Sequence, residues 1–437
     1  MQRLLIIGIC ASFSLALSGC GGGSGFTYSE SMQAPLQSLE AEDYQSAQAI
    51  LPPVQGPSDQ RLHNLELGRI QQLAGNYAAS QQRFAAVIAD IQGQLNDPKA
   101  YWQQILANPT AQQIGLNAYM LQAYELGYLY TYQALNALAL KQPAEAEQVL
   151  LQGVQAQSKN AANWTTWQND IAAQTARQTV QISADSYPIY TAMQSNAGKL
   201  DPDTNALNLY LAGLLSAANG RAGAATAFFK QASALAPENK VLQAGAQSLG
   251  RDSGRLIVVY EQGQAPGVAI APITIQAGGM SWTEYLPYYD PSTFTAAVPL
   301  TVSLPQHNLT TAVLLDNARL AELSLLQEYP LMILLTDRDV VSNAGLNADV
   351  QLAASNQDAN HLQSYDNDMA DVDSRSWLTL PANLQLAAQI LTPGTYPLRL
   401  NKGSVEQAAS IIIRPGHTTL LWVIDLGSSF DINTFNL

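Results

Sequence analysis

The chain has 437 residues, of which 47% are hydrophobic and only 12% are charged, and its formal net charge is −14. About 25% of residues are charged in a typical globular protein, so much of this surface has to be formed by uncharged polar side chains. The acidic excess argues against the basic face that nucleic-acid binding requires and against a polybasic membrane-binding patch. A chain of this length is expected to form two or three domains.

Residues 1–19 are predicted to be a signal peptide. Arg3 is followed by the apolar run LLIIGICASFSLAL, which is too short for a stable membrane span. The next residues, LSGC (17–20), resemble the bacterial lipobox, and this resemblance implies cleavage before Cys20 and attachment of a diacylglycerol to its sulfur. The alternative is an ordinary secretory peptide that leaves Cys20 as an unmodified thiol.

Lipidation would make Cys20 the membrane anchor and residues 20–29 a flexible linker, since GGGSG follows the cysteine. Each buried methylene contributes about 0.8 kcal/mol, so two or three acyl chains hold a protein firmly where one does not. Cys10 would leave with the signal peptide, so no disulfide and no cysteine metal site is expected. Gly21, where an aspartate would retain the protein at the inner membrane, favours the outer membrane by resemblance to lipoprotein sorting rules, with the folded part in the periplasm.

Residues 30–250 are predicted to form an α-helical repeat domain, because apolar residues recur there at spacings of three and four. LYLAGLLSAANGRAGAATAFFKQASALAPEN resembles a tetratricopeptide repeat. In that unit Gly213 and Ala225 would let two helices approach closely, and Phe229 would fill the gap to the next pair. Tight turns are predicted at Gly75 and Gly220.

Weaker copies of this unit occur earlier in the chain. They are LELGRIQQLAGNYAASQQRFAAVI, ELGYLYTYQALNALALKQPAEAEQVLLQG and the half unit AEDYQSAQAIL. The resemblance to tetratricopeptide repeats therefore covers most of residues 36–248, and a generic helical bundle is the alternative.

Residues 251–437 are predicted to form an antiparallel β-sandwich, because short β-rich runs alternate there with turn residues. The seven runs are 254–261, 268–276, 296–304, 310–316, 395–401, 409–415 and 418–426. An insertion at about 316–375 separates the fourth run from the fifth. It begins as an apolar, helix-like stretch and continues as an acidic, polar segment. The predicted fold class is therefore α+β with two domains.

The acidic segment 337–373 contains eight carboxylates and one arginine. Its run DNDMADVDSRS offers oxygen ligands for Ca²⁺, but it lacks the central glycine and the closing glutamate of an EF-hand loop. A solvated acidic loop is the simpler interpretation, and weak cation binding or a basic partner is the alternative. We expect no resident metal and no cofactor.

The sequence contains no GxSxG, HExxH or GxxxxGK[ST] motif, and none of the four histidines lies in a catalytic motif. The chain is therefore predicted not to be an enzyme.

Tyr124, Tyr128 and Tyr132 are spaced four apart and should form one stripe along a helix. Packing between helices is the ordinary role of such a stripe. The alternative is a concave groove in which the rings stack on a peptide or a sugar, which makes the three tyrosines candidate partner-binding residues.

Two segments resemble signatures of an uncharacterised family of bacterial lipoproteins. They are GRLIVVYEQGQAPG, which contains Glu261, and DVDSRSWLTLPANLQLA, in which Asp373, Arg375, Trp377 and Pro381 form a D-x-R-S-W-x-x-L-P motif. Members of that family carry an N-terminal repeat region and an outer-membrane-type lipobox, have no assigned activity, and are often encoded near a lipoprotein activator of peptidoglycan synthases. The resemblance thus implies architecture and compartment rather than chemistry.

A structural role is expected for these motif residues, with Trp377 inside the sandwich and Arg375 paired with Glu261 or Asp373 at its edge. The whole sequence predicts a lipid-anchored scaffold that binds other envelope proteins in the periplasm without catalysis. The alternatives are a lipoprotein that binds peptidoglycan or polysaccharide and, third, an enzyme without a recognisable motif. The membrane is contacted through the lipid, and no nucleic-acid partner is expected.

Overall fold

The computed structural model describes residues 27–54, 56, 59–96, 119–176, 188–197, 205–245, 247, 249–277, 280–334 and 372–437. Helices and sheets are both present, which confirms the predicted mixture of α and β structure. The predicted signal peptide, Cys20 and most of the acidic segment lie outside the described residues. Among the described helices, none has the length and apolar character that a membrane crossing requires.

Within the described residues, helices make up the first part of the chain, and one more follows the sixth strand. They are α1 (Tyr28–Ser31), α2 (Gln33–Glu40), α3 (Tyr44–Ala49), α4 (Gln60–Leu73), α5 (Tyr77–Asn96), α6 (Ala123–Ala139), α7 (Pro143–Thr175), α8 (Pro188–Ala197), α9 (Ala206–Ala218), α10 (Ala222–Leu235) and α11 (Lys240–Gly245). The last helix, α12, covers residues 317–334.

Four helix pairs, α2–α3, α4–α5, α6–α7 and α9–α10, are joined by the same turn. Each turn contains one residue with positive φ, namely Glu42, Gly75, Lys141 or Gly220. The N–H group of that residue donates to the carbonyl three residues earlier, and the next N–H group donates to the carbonyl five residues before itself. This pattern is the Schellman motif, which ends a helix and reverses the chain. The predicted turns at Gly75 and Gly220 are therefore confirmed.

The pairs α4–α5 and α9–α10 also share a close contact. A Cβ atom on Gly68 would lie 2.8 Å from the ring of Phe84, and one on Gly213 would lie 2.6 Å from the ring of Phe229. Each phenylalanine follows its glycine by the same number of residues, so the two pairs repeat one packing geometry. Phe229, predicted to fill the gap to the next pair, packs on Gly213 and Tyr210 of its own pair.

Eleven strands are present in the described residues: β1 (Gly254–Gln262), β2 (Ala269–Ala277), β3 (Met280–Tyr288), β4 (Thr301–Leu304), β5 (His307–Thr310), β6 (Ala312–Asp316), β7 (Asn383–Leu391), β8 (Gly394–Lys402), β9 (Val405–Ile413), β10 (Thr418–Asp425) and β11 (Phe430–Asn436). The five-stranded sheet has the order β11-β10-β1-β7-β6, and the four-stranded sheet has the order β5-β4-β8-β9. Strands β2 and β3 form a separate hairpin.

The prediction of purely antiparallel sheets is wrong, because β1 and β10 pair in parallel over residues 255–261 and 418–424. Strand β7, which lies on the other side of β1, was not among the predicted strands. Its sequence NLQLAAQIL is rich in alanine and glutamine, which have low β-propensity. Burial at the centre of a sheet outweighs that propensity here.

The five-stranded sheet is buried on both faces. Side chains alternate along β1, so that Leu256, Val258 and Tyr260 join the cluster shared with the four-stranded sheet, while Ile257 and Val259 join the cluster shared with the helices. A strand that is covered on both faces is expected to be apolar throughout, and GRLIVVYE fits that rule. The sheet is therefore a middle layer between the four-stranded sheet and the helices.

The repeated glycine–phenylalanine contact can be tested in α9–α10. Gly213→Ala should destabilise the protein by about 1–3 kcal/mol, because the added methyl group overlaps the ring of Phe229. Gly223→Ala in α10 is the matched control, since nothing lies within 4 Å of its added Cβ, and it should be neutral or stabilise by about 0.4–1 kcal/mol. Urea unfolding measures both, and equal stability of the two variants would contradict the close approach.

Candidate functional site

The candidate site is centred on the loop of residues 373–381, called the motif loop here, which lies against α4 and α6. The backbone N–H groups of residues 377, 378 and 379 donate hydrogen bonds over 3.0, 2.8 and 3.1 Å. Glu125 accepts the first bond, and Glu66 accepts the other two. Both carboxylates are buried. Two helix pairs thus hold three consecutive amides of one loop.

Glu66 and Glu125 occupy the same place in two repeats. Each begins the triplet Glu-Leu-Gly, at residues 66–68 and 125–127, whereas the α9 repeat has Leu-Ala-Gly at 211–213. The sequence analysis missed both glutamates. The repeated triplet was the available signal, because a charged residue that returns at a core position of a repeat requires a buried partner.

Burial raises the pKa of both carboxyl groups to about 7. Hydrogen bonds oppose this shift by favouring the ionised form, chiefly from Thr379 at Glu66 and from Tyr119 at Glu125. The hydroxyl of Tyr119 lies 2.7 Å from both oxygens of Glu125. Neither glutamate has an arginine or lysine as its principal partner, which distinguishes them from the buried Glu261, whose partner is Arg69.

A buried ion pair connects α4 to the central strand β1. Arg69 pairs with Glu261, and each side chain is only 2% exposed. The indole N–H of Trp422 donates to the second oxygen of Glu261 over 2.9 Å, and the guanidinium of Arg69 lies 4.1 Å from the ring centroid of Tyr132. Removing one partner of such a pair would leave an uncompensated buried charge. Helix α4 is therefore fixed to the five-stranded sheet.

Arg375 pairs with Asp373 over 2.7 Å, which confirms one of its two predicted partners. It also pairs with Asp59, just before α4, over 3.0 Å. The pairing with Glu261 is wrong, because Arg69 takes that carboxylate. Burial disfavours the charge of Arg375, but the two aspartates raise its pKa overall. The motif loop is thus tied to the helices by its arginine as well as by its backbone.

The prediction that Trp377 packs inside the sandwich is wrong. The ring centroid of Trp377 lies 5.9 Å from that of Phe84 in α5 and 5.9 Å from that of Tyr132 in α6, and its indole N–H donates to the hydroxyl of Thr379. The ring therefore fills the space between the motif loop and the helices. The carbonyl of Pro381, the last motif residue, accepts a hydrogen bond from Asn317 over 2.6 Å.

The three candidate partner-binding tyrosines are buried: Tyr124 is 1% exposed, and Tyr128 and Tyr132 are 0% exposed. Tyr128 accepts a hydrogen bond from Asn317. Packing, the ordinary role of such a stripe, is therefore what the structure shows, and the alternative of an open tyrosine groove that binds a partner is wrong. Trp377 of the motif loop and Asn317 of α12 cover this face of α6, and no local pattern around the tyrosines predicts that contact.

A cleft opens beside the motif loop and has a volume of about 760 Å³, which lies within the range of ligand sites, about 300–1,000 Å³. One wall is the segment 50–54, where Ile50 is 46% exposed and Val54 is 37% exposed. The remaining lining includes ionisable side chains from α1, α4 and the motif loop: Glu30, Asp59, His63, Glu66 and Arg375.

Three charged groups of this site already have partners. Glu66 and Glu125 already accept backbone hydrogen bonds, and the charge of Arg375 is shared by two aspartates. Within the part of the chain that the structure describes, no group of three or more His, Cys, Asp and Glu side chains is placed to hold a metal ion.

Comparisons with known proteins add little to this geometry. No family model matches the chain, and no curated protein matches it. Among solved structures, the chain is similar to a tetratricopeptide repeat protein from Parabacteroides merdae ATCC 43184, at 14% sequence identity. That match covers 50% of this chain and 97% of the other, with a TM-score of 0.13, which is too low to support a conclusion about fold or function.

The first prediction for this site concerns Glu66. Glu66→Ala leaves the buried N–H groups of Leu378 and Thr379 without their acceptor, and each unsatisfied group costs about 1–3 kcal/mol. We expect a loss of about 2–5 kcal/mol in urea unfolding. Glu145→Ala is the control, because that glutamate is exposed and accepts a bond from Gln81, and it should stay within about 0.5 kcal/mol of the parent. Similar values for the two variants would contradict the role of Glu66.

The second prediction concerns pH. The folded-state pKa of Glu125, about 7, lies above its ordinary value of 4.5, so between these values the folded state binds more protons than the unfolded state. The contribution of Glu125 to stability therefore falls as pH rises from about 4.5 to 7 and is constant above that. Because each pKa unit equals about 1.4 kcal/mol, the parent should lose about 2–3 kcal/mol relative to Glu125→Gln between pH 5 and pH 8. Unfolding at both pH values measures the difference, and parallel curves would refute the shift.

Proposed function

We propose that this protein is a lipid-anchored scaffold of the bacterial envelope that binds other envelope proteins without catalysis. In this proposal Cys20 carries the lipid, the outer membrane holds the anchor, and the folded part lies in the periplasm. The helix pairs act as tetratricopeptide-like repeats, and the five-stranded and four-stranded sheets form a sandwich-like second domain.

The observation that carries the proposal is the way the motif loop joins helices and sheet. Its amides, its arginine and its tryptophan all contact the helix pairs, while its C-terminal end continues directly into β7. The cleft is lined by residues of the helices and of the motif loop, and a surface that is already ordered lowers the cost of binding a partner. A surface of this kind is suited to binding a partner protein.

The position of the anchor supports recognition close to the membrane. Thr27 lines the cleft and follows Cys20 by seven residues. Seven residues reach at most about 25 Å when fully extended. A lipid on Cys20 would therefore keep the cleft close to the membrane surface and raise its effective concentration for membrane-associated partners.

The test is site-specific photo-crosslinking in cells, followed by mass spectrometry. A photoreactive residue at position 54, in the cleft wall, should crosslink to one defined envelope protein. The same residue at position 412, which is exposed on the four-stranded sheet, is the control and should give no such product. Sedimentation with purified sacculi in the absence of a crosslinked protein would replace the scaffold with a wall-binding function.

The lipid anchor has its own test. Cys20→Ala should abolish incorporation of labelled palmitate, because it removes the sulfur to which the lipid would be attached. Cys10→Ala is the matched control and should leave the incorporation unchanged. Palmitate incorporation that survives Cys20→Ala would refute lipid attachment at this residue.

A further inference from the structure

The cleft beside the motif loop has one apolar wall. Ile50 and Val54 project from it with 46% and 37% of their surface exposed, although large aliphatic side chains are normally covered. Pro52 and Pro53 lie between them and have no N–H group to offer a ligand. Exposed apolar surface inside a concave site is typical of a place where apolar groups bind.

The charged residues of the remaining lining are mostly acidic. Glu30, Asp59 and Glu66 contribute carboxyl groups, and Arg375 contributes a guanidinium. Asp373 also pairs with Arg375 from beside the cleft, so its positive charge is matched by two aspartates. Burial lowers the pKa of His63, which keeps this imidazole neutral at pH 7.

Glu30 is the carboxylate best placed to meet a ligand. It is exposed, and it accepts bonds from the backbone N–H and the hydroxyl of Thr27, over 2.7 and 3.2 Å. A carboxylate can accept further bonds beyond these two. The charge that the cleft presents to an incoming group is therefore negative, as is the charge of the whole chain, −14.

We infer that the cleft binds a short peptide segment of the partner in which a lysine or arginine lies between apolar residues. The apolar side chains would cover Ile50 and Val54, and the cationic group would lie towards Glu30. This inference deepens the proposed scaffold function and rests on it for the source of the peptide, whereas the charge and the apolar wall belong to the cleft itself.

The experiment uses the purified full-length protein in detergent and two acetylated octapeptides. Both consist of leucine, valine and alanine around one central residue, which is lysine in the first peptide and glutamate in the second. Calorimetric titration should show at least tenfold tighter binding of the lysine peptide at low salt. The difference should shrink in 0.5 M NaCl, because salt screens exposed charges.

Variants test the apolar wall and the acidic lining of the cleft separately. Val54→Ser should weaken both peptides about three- to tenfold by removing apolar contact. Glu30→Gln should weaken the lysine peptide alone by a similar factor, and it preserves the helix cap because glutamine fits the same capping box. Ile412→Ser is the control on the four-stranded sheet and should change neither affinity.

Three outcomes would overturn the inference. They are no binding of the lysine peptide up to 1 mM, equal or tighter binding of the glutamate peptide, and affinities that Val54→Ser and Glu30→Gln leave unchanged. The scaffold proposal can fail while this inference stands. If the purified protein binds the lysine peptide but position 54 crosslinks to no protein in cells, the specificity of the cleft is supported and the scaffold function is not.

Discussion

The architecture depends on two buried carboxylates that accept backbone N–H groups from a single loop. Without Glu66 and Glu125, residues 377–379 would carry three amides into an apolar junction with no partner, at a cost that few loops tolerate. With them, the loop has one position relative to α4 and α6. The position of the Trp377 ring follows from the position of the loop, because hydrogen bonds hold the backbone at residue 377 and at the two residues after it.

A second buried interaction joins the helices and the sheet in a shared core. The five-stranded sheet presents an apolar face to the helices, and Arg69 and Glu261 place a buried ion pair within that contact. A buried pair contributes little net stability after desolvation. Its geometric demand is strict, however, since misplacement by one turn of α4 would separate both charges from their partners. The pair therefore favours one position of α4 along β1.

Sequence reasoning succeeded where the signal was local. Gly75 and Gly220 predicted turns because only a left-handed residue closes a Schellman motif, and the apolar run GRLIVVYE predicted β1. It failed where the decisive partner is distant. For Tyr128 and Tyr132 the spacing favoured packing but left a groove as the alternative, and the outcome depends on a loop and a helix encoded far along the chain.

The candidate site was the least predictable part for the same reason. Arg375 and Asp373 are two residues apart, and their pairing could be predicted, whereas Asp59 and Glu66 meet the motif loop across more than 300 residues. The cleft itself combines side chains from α1, the segment 50–54, α4 and the motif loop. No short sequence window contains these four parts together.

That distance has a consequence for how the protein is made. Glu66 and its donor at residue 378 are 312 residues apart. The carboxylates of the N-terminal helix pairs therefore cannot bind these amides until nearly the whole chain is available for folding. The N-terminal helices are the first part to be synthesised, and a chain that ends before residue 378 would lack an amide that Glu66 binds.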